Sequence, residues 1–319
     1  MADNKDKKVL NVPALRFPEF TEEWKRIKVS DLLDFYSTNS LSWEQLEYES
    51  NEPYNLHYGL IHVGLPTIID LTKDKLPSIK DGNVPKKYEL CKEGDIAFAD
   101  ASEDTNEVAK VVEFYNLDGK KVVCGLHTIH GRNNNGQTAK GFLGYCFSST
   151  VFHNQIRRIA QGTKIYSINT RNFSEVFVGL PSMNEQQKIA TLLRLMDERI
   201  ATQNKIIEKL ETLIKGIIET VISLQKPNTF IKDCLECNSS ILQESQVAEY
   251  GASPVYGATG ITGYTEAADV NGESILIIKD GSGVGTVKYV TGEYSYIGTL
   301  NRLIAKDGYY LKYIYFALQ

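Results

Sequence analysis

The sequence predicts an α+β protein in which two β-rich domains are joined by a long coiled-coil-type helix. Three observations predict it. One stretch of about 41 residues is free of proline and carries a heptad stripe of apolar residues. The segments on either side are rich in short β-branched and aromatic runs bounded by Gly, Asn and Asp. Those two segments also resemble each other in the order of their parts. The expected boundaries are 1–182, 183–226 and 227–319.

The first domain reads as strands at YGLIHVG (58–64), DIAFA (95–99), VAKVVEFY (108–115), KVVCGLHTI (121–129) and FLGYCF (142–147). β-Branched and aromatic content between turn-forming residues carries each of these assignments.

The helix spans Asn184 to Leu224. From Ile200 onward, positions 200, 203, 207, 210, 214, 217, 221 and 224 recur at alternating spacings of three and four. All are Ile, Leu or Val except Gln203, which is the pattern of a coiled-coil seam. Ile189, Leu192 and Met196 extend the stripe upstream with a break in phase. Pro181 ends the preceding strand, Ser182 or Asn184 suits the helix cap, and Glu185 favours its positive end. Pro227 stops it. At 1.5 Å per residue such a helix is roughly 60 Å long, and it calls for a partner helix.

The second domain reads as strands at SILIIKD (274–280), TVKYV (286–290), YSYIGTL (294–300) and LNRLIA (300–305). It opens as the first does. Trp24 leads through a short run to Asp31-Leu32, and Phe230 leads to Asp233-Cys-Leu235. Glu93-Gly-Asp95-Ile-Ala-Phe parallels Gly272-Glu-Ser-Ile-Leu-Ile. An aromatic run follows in each, Gly141 to Phe147 and Gly308 to Phe316. Such self-similarity indicates a repeated architecture.

The net charge of −5 argues at first against a nucleic-acid partner, but its distribution does not. No acid lies between Asp118 and Glu175, a window that holds Lys120, Lys121, Arg132, Lys140, Arg157, Arg158, Lys164 and Arg171. That is either a local basic surface or clustering on a solvated face. No apolar run reaches the ~20 residues of a membrane span, and the charged N-terminus lacks a secretory core, so the cytoplasm is the expected location. Five cysteines do not form a disulfide framework in a chain of this length.

Catalytic constellations are absent from the pattern. There is no Gly-x-Ser-x-Gly elbow, no Asp/Asn-Pro-Pro-aromatic signature, and Glu107-Val-Ala-Lys110 has the wrong spacing for a nuclease set. His127-Thr-Ile-His130 has metal-compatible spacing but reads as part of a strand without a third ligand, so a structural or DNA-facing role is expected of it. Cys234-Leu-Glu-Cys237 lacks a second pair. No metal site and no enzyme activity are expected, and no cofactor on this chain.

Four stretches carry a resemblance to a known family. They are Val12-Pro-Ala-Leu-Arg16-Phe-Pro-Glu-Phe20 leading to Trp24, then Ile156 to Leu180, then Leu180-Pro-Ser-Met-Asn-Glu185-Gln186-Gln-Lys-Ile189-Ala. The last comprises Pro254-Val-Tyr256-Gly257 through Gly263 with Lys279-Asp-Gly281-Ser-Gly283-Val-Gly285. In order and spacing they resemble the DNA-specificity subunits of Type I restriction–modification systems. The third is close to that family's LPP-x-x-EQ-x-x-IA, with Ser182 in place of the second proline.

The resemblance implies two target-recognition domains that each read half of a split DNA site, with the helix as a ruler between them. It implies double-stranded DNA, methyltransferase (modification) subunits and a restriction subunit as partners, and self-pairing through the helix. S-adenosylmethionine would sit on the modification subunits. A complete family member carries a second long helix, so the second half here is expected to be truncated. The alternative is a coiled-coil interaction module with β-rich ends.

Base reading calls for Arg or Lys against guanine and Asn or Gln against adenine, and phosphates call for cations, hydroxyls and exposed amides. Arg132, Asn133 and Asn134 in the polar run His130–Gln137, with Lys140 after it, supply the first chemistry. The same run also reads as a hairpin turn. Arg157 and the run Gln161-Gly162-Thr163-Lys164-Ile-Tyr-Ser167 supply the second, and Gly162 reads equally as a helix C-cap. In the second domain Tyr256, Gly257, Lys279 and Ser282 occupy two glycine-punctuated loops. The loop from Lys279 to Gly285 fails the P-loop pattern and reads as a hairpin.

Overall fold

The computed structural model of the protein describes residues 13, 15–48, 52–223, 228–281 and 283–319. The chain divides into two compact units, 1–202 and 203–319, whose boundary falls within one continuous helix, Met183–Ser223. The expected boundary at 226/227, the seam residue Leu224, the stop at Pro227, and Val12 and Ala14 of the N-terminal motif lie outside the described residues. Ser282 does too. The architecture is mixed α+β, with β-rich segments before and after the helix in sequence.

The first unit is built on a five-stranded sheet in the order Asp34–Tyr36, Thr128–Arg132, Ile96–Ala99, Val111–Asn116, Ile68–Asp70. Neighbours are antiparallel except the last pair, which is parallel. Ile96 and Phe98 face one way, into a cluster with Phe147, Phe152 and Phe173, while Ala97 and Ala99 face Leu56, Ile61 and Val122. Phe98 meets the rings of Phe173 and Phe147 edge-on at 4.7 and 5.0 Å, an orientation the ring quadrupoles favour. Helices Phe142–Phe147, Thr150–Ile159 and Thr170–Ser174 supply the aromatic side. A smaller sheet, ordered Val122–Cys124, Tyr54–Leu56, Ser78–Ile79, Leu46–Glu47, supplies residues of the other cluster. An antiparallel ribbon of Lys25–Lys28 with Phe177–Leu180 ties the N-terminal segment to the residues just before the long helix.

Two runs expected as strands are helices: Tyr58–His62 and Phe142–Phe147. Tertiary capping overrides the β preference of their aromatic residues. His57 Nδ1 accepts the Gly59 N–H at 3.1 Å and starts the first. Gly141, at φ +87°, turns the chain into the second, whose first N–H groups are taken by a carboxylate from the sheet. Glu113 accepts from both Gly141 and Gly144.

The second unit repeats the plan. Its sheet runs Leu235–Ser239, Leu300–Ala305, Ser274–Ile278, Val287–Val290, all antiparallel. That is the order of the first four strands of the larger sheet in unit one. A one-turn helix precedes the first strand in each, Val29–Leu32 and Ile231–Cys234, and a helix follows the last, Phe142–Phe147 and Leu311–Leu318. Outside these sheets each unit also has a parallel strand pair, Tyr54–Leu56 with Val122–Cys124 and Ser253–Gly257 with Glu293–Tyr296.

The buried Glu113 carboxyl generates a pH test. Burial pushes it up to about 7, against the pull of the backbone N–H groups of Gly144, Gly141 and Leu143. Between its ordinary 4.5 and that value the folded chain holds a proton the unfolded chain has released. Its contribution is therefore fully present below the lower value and is lost as pH rises through the upper one. Wild-type stability in urea should fall by up to roughly 3 kcal/mol between about pH 5 and about pH 7.5 on this account. Glu113→Gln should flatten that slope; an unchanged slope would refute the assignment.

Candidate nucleic-acid interface

The long helix is seated by its first turn. Ser182 caps it, its Oγ accepting the Glu185 N–H at 3.4 Å. Glu185 and Gln186 are each 1 % exposed. Arg16 donates to both Glu185 oxygens, from Nε and Nη2 at 2.7 Å each, and Trp24 Nε1 donates to Oε1 at 3.2 Å. Gln186 Oε1 accepts the Ala139 N–H at 2.9 Å, and its Nε2 donates to the carbonyls of Gln137 and Pro181 at 3.1 and 2.9 Å. The two side chains thus pin three separate chain segments to the helix start.

Arg132 was expected in a polar loop. It is the last residue of the strand Thr128–Arg132 and is buried. Its Nε and Nη2 donate to Asp95 at 2.8 Å each, Nη1 donates to Glu89 at 2.7 Å, and Nη2 also reaches the Leu90 carbonyl. Tyr36 stacks on the guanidinium at 4.3 Å. Asp95 further accepts from His130 Nε2 at 2.7 Å and from the Lys92 N–H at 2.8 Å. Burial alone would raise the Asp95 carboxyl; the bonds from His130, Arg132 and Lys92 hold it below its ordinary value. The fork of Arg132 is committed to the protein interior.

The loop beyond it is exposed and internally braced. Asn133 bonds Thr138 Oγ1 and the Asn135 N–H, and Asn134 donates to Asp34 and the Tyr36 hydroxyl. Lys140 pairs with Glu93 at 2.9 Å and lies over the Tyr115 ring. Of the remaining window, Lys120 bonds the Leu71 carbonyl and Asp118, and Lys121 lies near Glu52. Arg157, Arg158, Lys164 and Arg171 are exposed and, among the described residues, form no hydrogen bond or ion pair. The basic window therefore resolves into four free cations.

Three of these lie close together in sequence, at the end of one helix and in the turn after it. Helix Thr150–Ile159 ends on Arg157 and Arg158 and is capped by Ala160, so Gly162 lies past the C-cap position. The turn that follows closes through paired bonds between Gln161 and Ser167. Gly162 sits at φ +137°, and a Cβ there would come 1.9 Å from the Ile165 carbonyl oxygen, so the close approach is the chain's own. This turn exposes Thr163 and Lys164, and Ser167 pairs with Ala101. Next to Ala101, Asp100 meets His127 at 3.2 Å. His127, Tyr58, His57 and Trp43 form a ladder of rings with centroids 5.3, 4.6 and 4.4 Å apart, and Trp43 and His127 are exposed. No spacing in the sequence joins those four. Exposed Glu103 and Asp104 adjoin the same strand end and add acceptors.

The Asn133–Lys140 segment and the Gln161–Ser167 turn do not meet. Arg132 pairs with Asp34 at one end of its strand, while Thr128 pairs with Ala99, beside Asp100 and Ala101, at the other. Five extended residues separate them by roughly 13 Å. In the second unit, Tyr256 and Gly257 line a cleft of about 190 Å³ with Thr286 and Lys288, whose ammonium stands 5.0 Å from the Tyr256 ring centre. Lys279 is exposed at the start of the hairpin linking Ser274–Ile278 to Val287–Val290. Cys234 donates to the carbonyls of Phe230 and Ile231, while Cys237 is exposed.

Removing Arg132 should act on stability. Arg132→Ala leaves Asp95 buried without its main counter-charge and should lower the unfolding free energy by about 3–5 kcal/mol, read by urea titration. Arg132→Lys should recover little, because an ammonium cannot span both Asp95 oxygens and Glu89. A wild-type midpoint for Arg132→Ala would overturn this.

Residues 118–212 match the family model described as Type I restriction modification DNA specificity domain. No curated protein has a significantly similar sequence. Among solved structures, that of a Type-I restriction-modification system S subunit from M. genitalium aligns with a TM-score of 0.64 at 18% identity, covering 93% of this chain and 76% of that one. The HsdS subunit from Thermoanaerobacter tengcongensis aligns with a TM-score of 0.43 at 13% identity, covering 92% and 78%. Residues 118–212 of this chain are thus similar to a Type I restriction modification DNA specificity domain, and the chain shares its fold with the M. genitalium S subunit.

Proposed function

We propose that the chain is the sequence-reading, non-catalytic subunit of a Type I restriction–modification complex. In this reading each unit contacts half of a bipartite double-stranded site. Modification subunits, which carry S-adenosylmethionine, and a restriction subunit supply the chemistry. The observation that carries the reading is the repeated sheet topology on either side, in sequence, of one continuous helix. The specificity-domain match over 118–212 supports it, since that segment runs through the free cations and into the helix. Among the described residues no helix is long and apolar enough to cross a membrane.

Within the first unit, the Arg157–Ser167 end fits phosphate contact. Its cations are unpaired, and the neighbouring rings and acceptors offer stacking and hydrogen bonds to bases. Lys164→Ala should weaken binding to cognate and scrambled duplexes alike and lower the salt slope by about one unit. Titrations at several salt concentrations check this, and an unaltered slope would place the turn away from DNA.

The seam also points to assembly. Ile200, Ile207, Leu210, Ile214, Ile217 and Val221 are all more than half exposed. Such a row is covered by another helix in a stable assembly. Leu210→Asp with Ile214→Asp should abolish self-association or capture of modification subunits while leaving the first unit folded, as read by sizing and circular dichroism. Identical monomeric elution and unchanged capture for wild type and variant would refute it.

A further inference from the structure

Buried behind the sheet that carries Arg132 is a cluster the DNA-reading role does not use. Cys91, Cys124 and His130 bring their ligand atoms within 4.8 Å of one another, and all three side chains are buried. They come from separate places: Cys91 from the loop before the strand Ile96–Ala99, Cys124 from the end of Val122–Cys124, and His130 from Thr128–Arg132. Backbone pairing fixes the first two, since the Cys91 N–H donates to Val122 O at 2.8 Å.

We infer that Cys91, Cys124 and His130 form a buried binding site for a thiophilic divalent cation of the zinc class. Two independent observations support it. The two sulfurs stand 3.5 Å apart, too far for a disulfide and close to the ~3.7 Å edge of a tetrahedron with metal–sulfur bonds of about 2.3 Å. His130 gives Nε2–H to Asp95, which leaves Nδ1 with its lone pair, and that fully buried nitrogen has no partner among the described residues. A ligating histidine whose other nitrogen donates to a carboxylate is the usual supporting arrangement of a metal site.

Charge balance favours the same occupant. Two thiolates and a divalent cation sum to zero, and the adjoining Asp95–Arg132 pair is also neutral. A dry interior tolerates such a set and not an isolated charge. On binding, each thiol exchanges its S–H bond for a sulfur–metal bond and gives its proton to solvent, so affinity falls with falling pH. Soft sulfur with imidazole selects zinc or cobalt over calcium or magnesium. The fourth corner is left to water or another small donor. The counterpart of His130 in the register of the second unit is Arg302, which bonds Ser274, so the site belongs to the first unit alone.

The test uses the full chain, purified with a non-chelating reductant and analysed for metals. About one zinc per chain is expected. Stripped protein titrated with cobalt(II) should develop thiolate charge-transfer and tetrahedral d–d bands. Chelator should lower the thermal midpoint and zinc should restore it. Cys91→Ser and His130→Ala should lose the metal, while Cys237→Ser should keep it. Trace metal with no cobalt bands, a Cys91–Cys124 disulfide found by mass spectrometry, or equal metal loss in Cys237→Ser would each overturn the site. Because the wild-type readings need no variant to fold, misfolding of a variant leaves the question decided by metal content and cobalt spectra.

Discussion

The anchoring of Glu185 and Gln186 is the constraint on which the first unit depends. A carboxylate with 1 % exposure is tolerable only if its oxygens are satisfied, and Arg16 and Trp24 satisfy them. The same turn holds the Gln137–Ala139 backbone and, through Pro181, the end of the N-terminal ribbon. Helix, N-terminal segment and exposed loop are therefore positioned by one buried polar turn. An apolar substitute could fill its volume but could not fix its direction, because dispersion is not directional.

A second polar core sits beneath the strand Thr128–Arg132. Asp95 accepts four hydrogen bonds there, and Glu89 shares the guanidinium of Arg132. The second unit keeps the strand order and replaces this network with a bond of Arg302 to Ser274 at 2.7 Å. Topology and polar chemistry thus vary separately between the two copies. A sheet of this order is set by backbone pairing and apolar burial, which many side-chain choices satisfy.

What the sequence reveals follows from how local each signal is. The long helix was legible because 41 residues run without proline and an apolar stripe recurs through most of them. The strand Ile96–Ala99 was legible as an unbroken apolar run, the mark of a strand covered on both faces. Tyr58–His62 and Phe142–Phe147 misled, because aromatic composition favours strands while their helical state is set by capping from His57 and from Glu113. Glu113 is 28 residues from Gly141, and no local pattern carries that. The motif Glu185-Gln186 was visible as a resemblance, but its partners are up to 169 residues away. Arg132 looked exposed because asparagines follow it; the pairing acids, Asp95 and Glu89, lie some 40 residues earlier.

Gln186 makes all three of its bonds to main-chain atoms, at Gln137, Ala139 and Pro181. It therefore reads the path of the loop and is blind to its side chains. As far as Gln186 is concerned, the side chains of residues 133 to 138 are free to vary so long as the chain leaves the strand and returns to the same two peptide groups. The arrangement is a socket with interchangeable inserts: new surface chemistry arises between fixed endpoints without renegotiating how the helix is seated.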